Sequence, residues 1–146
     1  MNPKYRGVDA AVRELERAIV QLGLTGLKLY PTYDHYSPDD RRLAFPIFEK
    51  AQELGIPVMI HQSSTPVIDA PLKYGQPYLL DDVGRAFPDL KLLICHVGAP
   101  WVDECLVLAA KHPNFFIDLS FFNSLLSGKD KLLFLHKCKA YGMPAC

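Results

Sequence analysis

Two short apolar runs that each end in a histidine constrain the fold of this chain more than any other feature. One run leads from Gly55 through Ile56–Ile60 to His61, and the other leads through Leu90–Cys95 to His96. Apolar runs of this length predict strands that are buried on both faces, as in a parallel sheet covered by helices. In such folds, ligands bind at the carboxyl ends of the strands. If the two strands are neighbours, roughly 5 Å apart, both imidazoles would converge on one metal ion or substrate. The alternative is that each is a structural histidine with satisfied hydrogen bonds.

The spacing of the strands predicts the fold class. Predicted strand ends at Tyr30, His61, His96 and Ser120 recur about every thirty residues, the length of one βα unit with its loops. Helices are predicted between the strands, and right-handed crossovers would place them outside a curved parallel sheet. We therefore predict an α/β protein with about four parallel βα units in one domain over residues 1–146. Pro46 is expected to kink the second of the longer helices.

Composition narrows the function classes. The chain has 146 residues, with sixteen basic and sixteen acidic side chains, and no basic face that would indicate a nucleic-acid partner. No apolar run approaches the length of a membrane span, and the first residues lack the apolar core of a signal peptide. The four cysteines form no C-x-x-C pair. A reduced, cytoplasmic protein is the simplest expectation.

Several further residues have two interpretations at this point. Lys28, in an otherwise apolar strand, either extends past a strand end or points into a site. Trp101 either walls a pocket or packs on its neighbours, and Asp118 either reaches a site or, as we prefer, bonds to nearby backbone. His112 is expected at the surface. The long loop from Gln62 to Gln76 should lie over the strand ends and help to form a pocket.

The motifs of the chain, in their order, resemble the amidohydrolase-2 family of metal-dependent TIM-barrel hydrolases and decarboxylases related to aminocarboxymuconate-semialdehyde decarboxylase. The resemblance extends over almost the whole chain and is carried by Gly26-Leu27-Lys28-Leu29-Tyr30-Pro31, Gly55-Ile56-Pro57-Val58-Met59-Ile60-His61, Phe87-Pro88-Asp89-Leu90-Lys91, His96-Val97-Gly98-Ala99-Pro100-Trp101 and Asn114-Phe115-Phe116-Ile117-Asp118-Leu119-Ser120. It implies a (β/α)8 barrel, of which this chain would form part.

The resemblance also implies roles for individual residues. His61 matches a metal-ligand histidine, and His96 matches a catalytic histidine that acts on the metal-bound water or on the substrate. Lys28, Tyr30 and Trp101 would belong to the substrate pocket. The implied cofactor is a divalent metal, Zn²⁺ by preference. The implied substrates are small carboxylates or cyclic esters and amides, which the family hydrolyses or decarboxylates.

The chain departs from the family pattern at both ends. The family's first strand carries a His-x-His metal pair, which is absent here, and its last strand carries an aspartate within Gly-Ser-Asp, which would begin near Met143–Cys146. By resemblance the chain covers the third to the seventh helix of a barrel, without strands one to three and eight. A complete barrel needs about 250 residues.

Four strands alone would leave two open sheet edges, which invite pairing with other chains. We therefore expect a fragment, a truncated reading frame or one part of a larger assembly. Such a chain would bind zinc weakly, would have little or no activity alone, and would form a homo-oligomer or pair with a completing chain. The alternative function is a non-catalytic half-barrel module that associates with itself or with a partner.

Overall fold

The structure is a computed structural model that describes residues 2–121 and 128–141. Helices and strands alternate along the chain as predicted. The helices are α1 Pro3–Arg6, α2 Val8–Val20, α3 Pro31–Asp34, α4 Phe45–Glu53, α5 Asp81–Ala86, α6 Val102–Lys111 and α7 Gly128–Ala140. The strands are β1 Leu27–Leu29, β2 Val58–Ile60, β3 Leu92–Ile94 and β4 Phe115–Ile117, and 3₁₀ turns cover Leu72–Gly75, Pro77–Leu80 and Cys95–Gly98. Residues 122–127 and the chain end at Met143–Cys146, where the family's last strand would begin, lie outside the described residues.

The four strands form one parallel sheet in the order β1-β2-β3-β4. Sequential strands are neighbours, and their residues pair without slippage. The first paired row is Leu27, Val58, Leu92 and Phe115, and the second is Lys28, Met59, Leu93 and Phe116. This order, with helices between successive strands, confirms the predicted α/β class and its parallel βα units.

The two faces of the sheet differ in burial. The first row faces the helices, where Val58 and Leu92 are fully buried against α4 residues such as Phe48. The second row faces away, and Met59 and Phe116 are 38% and 50% exposed. The expectation that the β2 strand is buried on both faces was therefore wrong for the described chain. Helices cover only one face of the sheet, and no described element covers the other.

Pro46 does not kink a helix. Residues before it form turns, and α4 begins at Phe45, so Pro46 occupies the first turn of the helix. A proline is favourable there, because the N–H that it lacks would have no partner inside the helix. The turns before α4 are held by Asp40, whose carboxylate accepts hydrogen bonds from the backbone N–H groups of Arg42 and Leu43. The expected kink was wrong because α4 begins only at Phe45, so no helical turn precedes Pro46 for its ring to disrupt.

Within the described residues, no helix has both the length and the apolar character needed to cross a bilayer.

Candidate active site

His61 lies directly after β2 and is held there by backbone and loop contacts. Its N–H donates to the Leu29 carbonyl of β1 at 2.9 Å, which continues the sheet by one residue. The next side chain, Gln62, donates to the carbonyls of Tyr74 and Gln76 at 2.9 and 2.8 Å. These bonds draw the long loop over the end of β2, as predicted. His61 is thereby only 7% exposed.

The loop approaches β2 so closely that one position requires glycine. A Cβ on Gly75 would lie 2.2 Å from the backbone oxygen of Ser63. A second tether joins the loop to the next strand, because the Ser64 N–H donates to the Ala99 carbonyl at 2.7 Å. The loops after β2 and β3 are thus connected above the sheet, and they bring the residues after both strands together.

His96 follows β3 in a left-handed backbone turn. His96 and Val97 have φ values of 60° and 49°, a conformation that is costly for a β-branched residue such as Val97. Hydrogen bonds to the neighbouring strand hold this turn, since the Val97 N–H donates to the Asp118 carbonyl and the Asp118 N–H donates to the Ile94 carbonyl, both at 2.8 Å. Backbone strain of this kind is often found at functional sites.

The two imidazoles meet at the carboxyl end of the sheet. The ring centroids of His61 and His96 lie 5.0 Å apart, with 67° between the ring planes. The predicted proximity of the two histidines is therefore confirmed. Neighbouring parallel strands that end in equivalent histidines give this result, because their carboxyl ends lie side by side.

The environment of His61 keeps its imidazole neutral. Burial, followed by the positive charges of His96 and Lys28, lowers the pKa of His61 from 6.5 to about 4, although a backbone hydrogen bond with Ser64 partly opposes the shift. Its Nε2 is buried and has no hydrogen-bond partner in the described part of the chain. A buried polar atom without a partner destabilises a fold, so this nitrogen calls for an explanation.

Lys28 extends toward the site end of the sheet. Its Nζ donates to the Sγ of Cys95, the residue before His96, at 2.7 Å, and lies 5.0 Å from the ring centroid of Tyr30. Of the two interpretations of Lys28, this position favours the one in which the side chain reaches a site. Burial raises the pKa of the Cys95 thiol, and the hydrogen bond from Lys28 only partly counters this.

The predicted pocket aromatics occupy different positions. The Tyr30 ring stacks on His61, with a centroid separation of 5.8 Å and 26° between planes. Trp101 precedes α6 and is half-buried. Among the described aromatic contacts, none joins its ring to either histidine. Tyr30 is therefore beside the two histidines, whereas a pocket role for Trp101 remains a prediction.

Sequence reasoning missed three residues of the site. Tyr33 packs edge-on against His61 at 5.4 Å, Ser120 bonds to His96 Nδ1, and Phe121 packs edge-on against His96 at 5.3 Å. Tyr33 lies on α3, the short helix after β1, and the aromatic residues of that segment were a usable signal. The contacts of Ser120 and Phe121 join the segment after β4 to the segment after β3, and no pattern within either segment predicts them.

Asp118 bonds to nearby backbone, as preferred from the sequence. Its carboxylate accepts a hydrogen bond from the Ser120 N–H. Burial alone would raise the pKa of Asp118, but the hydrogen bonds from Ser120 and the nearby charges of His96 and Lys28 outweigh it and lower that pKa. The carboxylate is thus ionised at neutral pH and adds negative charge to the edge of the site.

The residues fit a metal ion only in part. The unpartnered, neutral Nε2 of His61 has the chemistry of a zinc ligand. However, in residues 2–121 and 128–141 no three histidine, cysteine or acidic side chains lie close enough together to hold a metal. One imidazole does not make a metal site, so we derive no catalytic step through a metal from these residues.

His112 corrects another expectation. It was predicted at the surface, but it is 7% exposed and its Nε2 lies 2.8 Å from the Asp81 carboxylate. It precedes β4, and so it lies at the amino end of the sheet, away from His61 and His96. Gly84 of α5 was the overlooked signal, because a Cβ there would lie 2.7 Å from the His112 ring. A glycine inside a helix often marks such a close approach.

Comparisons with known proteins agree with this fold. The chain is 26% identical to 2-amino-3-carboxymuconate-6-semialdehyde decarboxylase of Dictyostelium discoideum, over 87% of this chain and 43% of the relative. It is 30% identical to a dihydroorotase of Yersinia enterocolitica, over 59% of this chain and 27% of the relative. A solved structure, an uncharacterized TIM-barrel protein from Bordetella bronchiseptica, matches with a TM-score of 0.69 and 28% identity, over 82% of this chain and 42% of that one.

Three conclusions follow from the comparisons. The chain spans less than half the length of each of these three proteins. The sheet of four parallel strands corresponds to part of a TIM barrel, as predicted. The family model described as Amidohydrolase matches residues 4–134, which is most of the sequence. The chain therefore belongs to the amidohydrolase family.

Proposed function

We propose that this chain supplies part of the active site of a metal-dependent hydrolase or decarboxylase that acts on C–N, C–O or C–C bonds of small carboxylate substrates. The observation that carries the proposal is the buried Nε2 of His61, which lacks a partner and lies beside His96 at the carboxyl end of a parallel sheet. Membership of the amidohydrolase family, with a decarboxylase and a dihydroorotase among the relatives, supports the reaction class.

We assign His61 as a metal ligand and Zn²⁺ as the preferred metal. When bound, zinc supplies a water whose pKa is lowered to about 7. His61 is suited to a ligand role because its low pKa leaves the nitrogen lone pair free at neutral pH. The other ligands would come from residues beyond those described, because no three histidine, cysteine or acidic side chains lie together in the described chain. We accordingly expect weak zinc binding and little or no activity from this chain alone.

The remaining residues would bind substrate and move protons. His96 is assigned as the catalytic histidine, because its imidazole lies against His61 and can accept a proton from a reacting group nearby. The Lys28 ammonium provides a positive charge near Tyr30 that suits a substrate carboxylate. Tyr30, and by the family resemblance Trp101, would wall the substrate.

Zinc titration tests the His61 assignment. Isothermal titration calorimetry on the 146-residue chain should show weak binding that disappears in His61→Ala. His136→Ala is the matched control, because His136 is an exposed histidine on α7, and it should leave the titration unchanged. Stoichiometric, tight zinc in the wild type would contradict the expectation of a single donor. Binding that survives in His61→Ala would reject the role of His61.

A non-catalytic, associating module is the second candidate, and the uncovered face of the sheet favours it. Met59 and Phe116 expose apolar surface on that face, and β1 and β4 have no strand partner on their outer sides in the described residues. Such surfaces favour association with a second copy or a completing chain. The balanced charge of the chain gives no reason to expect a nucleic-acid partner. For the location of the protein, the absence of a C-x-x-C pair fits a reduced, cytoplasmic protein.

Size-exclusion chromatography with light scattering tests the association. We expect oligomers or aggregates from the wild type, and weaker association for Phe116→Asp. Tyr5→Asp, at an exposed aromatic on α1, is the control and should not alter the elution. A stable monomer would argue against association through this face.

The neighbouring coding sequence separates the two candidates. An upstream His-x-His and a downstream Gly-Ser-Asp would support part of a complete enzyme, whereas the absence of both would support the module.

A further inference from the structure

The turn after β4 holds the His96 imidazole by one of its two nitrogens. The carbonyl oxygen of Ser120 lies 3.2 Å from His96 Nδ1, and the Ser120 hydroxyl lies 2.7 Å from the same atom. A carbonyl oxygen can only accept a hydrogen bond. If Nδ1 carries a proton, it can donate a hydrogen bond to these Ser120 oxygens. If Nδ1 carries no proton, its lone pair points at the lone pairs of the carbonyl oxygen, which is unfavourable.

Asp118 fixes the backbone of this turn. Its carboxylate accepts from the Ser120 N–H, and its own backbone is bonded on both sides to the segment that carries His96, through Ile94 and Val97. Phe121 closes the turn with a left-handed φ of 62° and places its ring 5.3 Å from His96. The position of Ser120 relative to Nδ1 is thus set by short local contacts.

The second nitrogen of His96 is left for the site. In the described chain, no hydrogen bond occupies His96 Nε2, and the ring lies 5.0 Å from His61. A neutral imidazole with its proton on Nδ1 has a lone pair on Nε2, which can accept a proton or bind a ligand.

We infer that Asp118 and Ser120 are positioning residues that hold His96 as its Nδ1–H tautomer and so present the Nε2 lone pair beside His61. The use of that lone pair rests on the proposed function. The tautomer itself does not depend on metal, substrate or turnover, and it can be measured in the chain as it is.

Nitrogen-15 NMR of the labelled 146-residue chain, in alkaline buffer with a chelator, reports the tautomer of each histidine. In the wild type we expect His96 to carry its proton on Nδ1. Asp118→Ala should shift the ratio toward Nε2–H by about tenfold, the weight of roughly one hydrogen bond. Asp118→Asn should retain the wild-type tautomer, because its amide oxygen can still accept from Ser120. His112, whose partner is Asp81, is the internal control.

Two results would overturn the inference. One is a dominant Nε2–H tautomer of His96 in the wild type, and the other is an unchanged tautomer in a folded Asp118→Ala variant. If Asp118→Ala does not fold, Ser120→Ala takes its place in the second test. It removes the hydroxyl, which could donate to an unprotonated Nδ1, and keeps the carbonyl, so the Nδ1–H tautomer should stay dominant. Loss of zinc binding with the tautomer intact would reject the proposed function alone. The wrong tautomer with His61-dependent zinc binding would reject this inference alone.

Discussion

His61 and His112 are equally buried, at 7% exposure each, but only His112 has a partner for its Nε2. The Nε2 of His112 lies 2.8 Å from the Asp81 carboxylate, and its ring packs 4.8 Å from that of Phe115. The Nε2 of His61 has no partner in the described chain. Burial of a polar atom without a hydrogen bond costs free energy. His112 therefore stabilises the amino end of the sheet, whereas the unpaired Nε2 of His61 destabilises the carboxyl end. The comparison separates a structural histidine from one suited to bind a ligand.

Truncating the two histidines should give the largest contrast. We expect His112→Ala to lower the free energy of unfolding by about 3 kcal/mol, because it removes a bond to a carboxylate and leaves a cavity beside Gly84. His61→Ala should cost less than about 1 kcal/mol, since the lost packing is offset by removal of an unsatisfied nitrogen. Urea denaturation measures both, with His136→Ala as the surface control. Equal losses of unfolding free energy in His61→Ala and His112→Ala would contradict the distinction between the two histidines.

The second largest effect is expected in the pH dependence of the free energy of unfolding, which should differ between the wild type and His61→Ala. The folded pKa of His61 is lowered from 6.5 to about 4, so the unfolded chain binds a proton first as the pH falls. The wild type should therefore lose stability as the pH falls from about 6.5 to about 4, by an amount on the order of 2 kcal/mol. His61→Ala should lack this loss, while His112→Ala should keep it. Denaturation curves at several pH values, with a chelator present, measure the difference. Identical profiles for the wild type and His61→Ala would contradict the burial of a neutral His61.

A smaller effect is expected at Asp81. Hydrogen bonds from Lys111 and then His112 lower its pKa below 3.8, so the stability that it contributes is present above about pH 4 and is lost as the pH falls through the lower folded value. Asp81→Asn should flatten this acid loss. The exposed loop residue Asp69 provides the control variant Asp69→Asn. Acid profiles that match between the wild type and Asp81→Asn would show that the pair with His112 adds no stability.

The sequence was sufficient for the parts that depend on local pattern. The apolar runs before His61 and His96 predicted strands of a parallel sheet, and the structure makes these two strands neighbours. The meeting of the two imidazoles was predicted on the condition that the strands are neighbours, and that condition is met.

The rest depended on contacts between distant segments. His112 was taken for a surface residue because its partner, Asp81, is thirty-one positions away. Pro46 was misplaced because a proline suits the first helical turn as well as it disrupts a helix interior, and only packing decides which applies. Met59 was expected to be buried because an apolar run does not reveal whether both faces of a sheet are covered.

The most direct test of the contrast between His61 and His112 is a zinc titration of the intact chain, in which the imidazole ¹⁵N signals are monitored at each zinc concentration. We predict that the His61 Nε2 signal moves first, with the neighbouring His96 affected next, while the His112 signals stay in place. Movement of His112 or His136 before His61, or an unperturbed His61 at saturating zinc, would contradict the account.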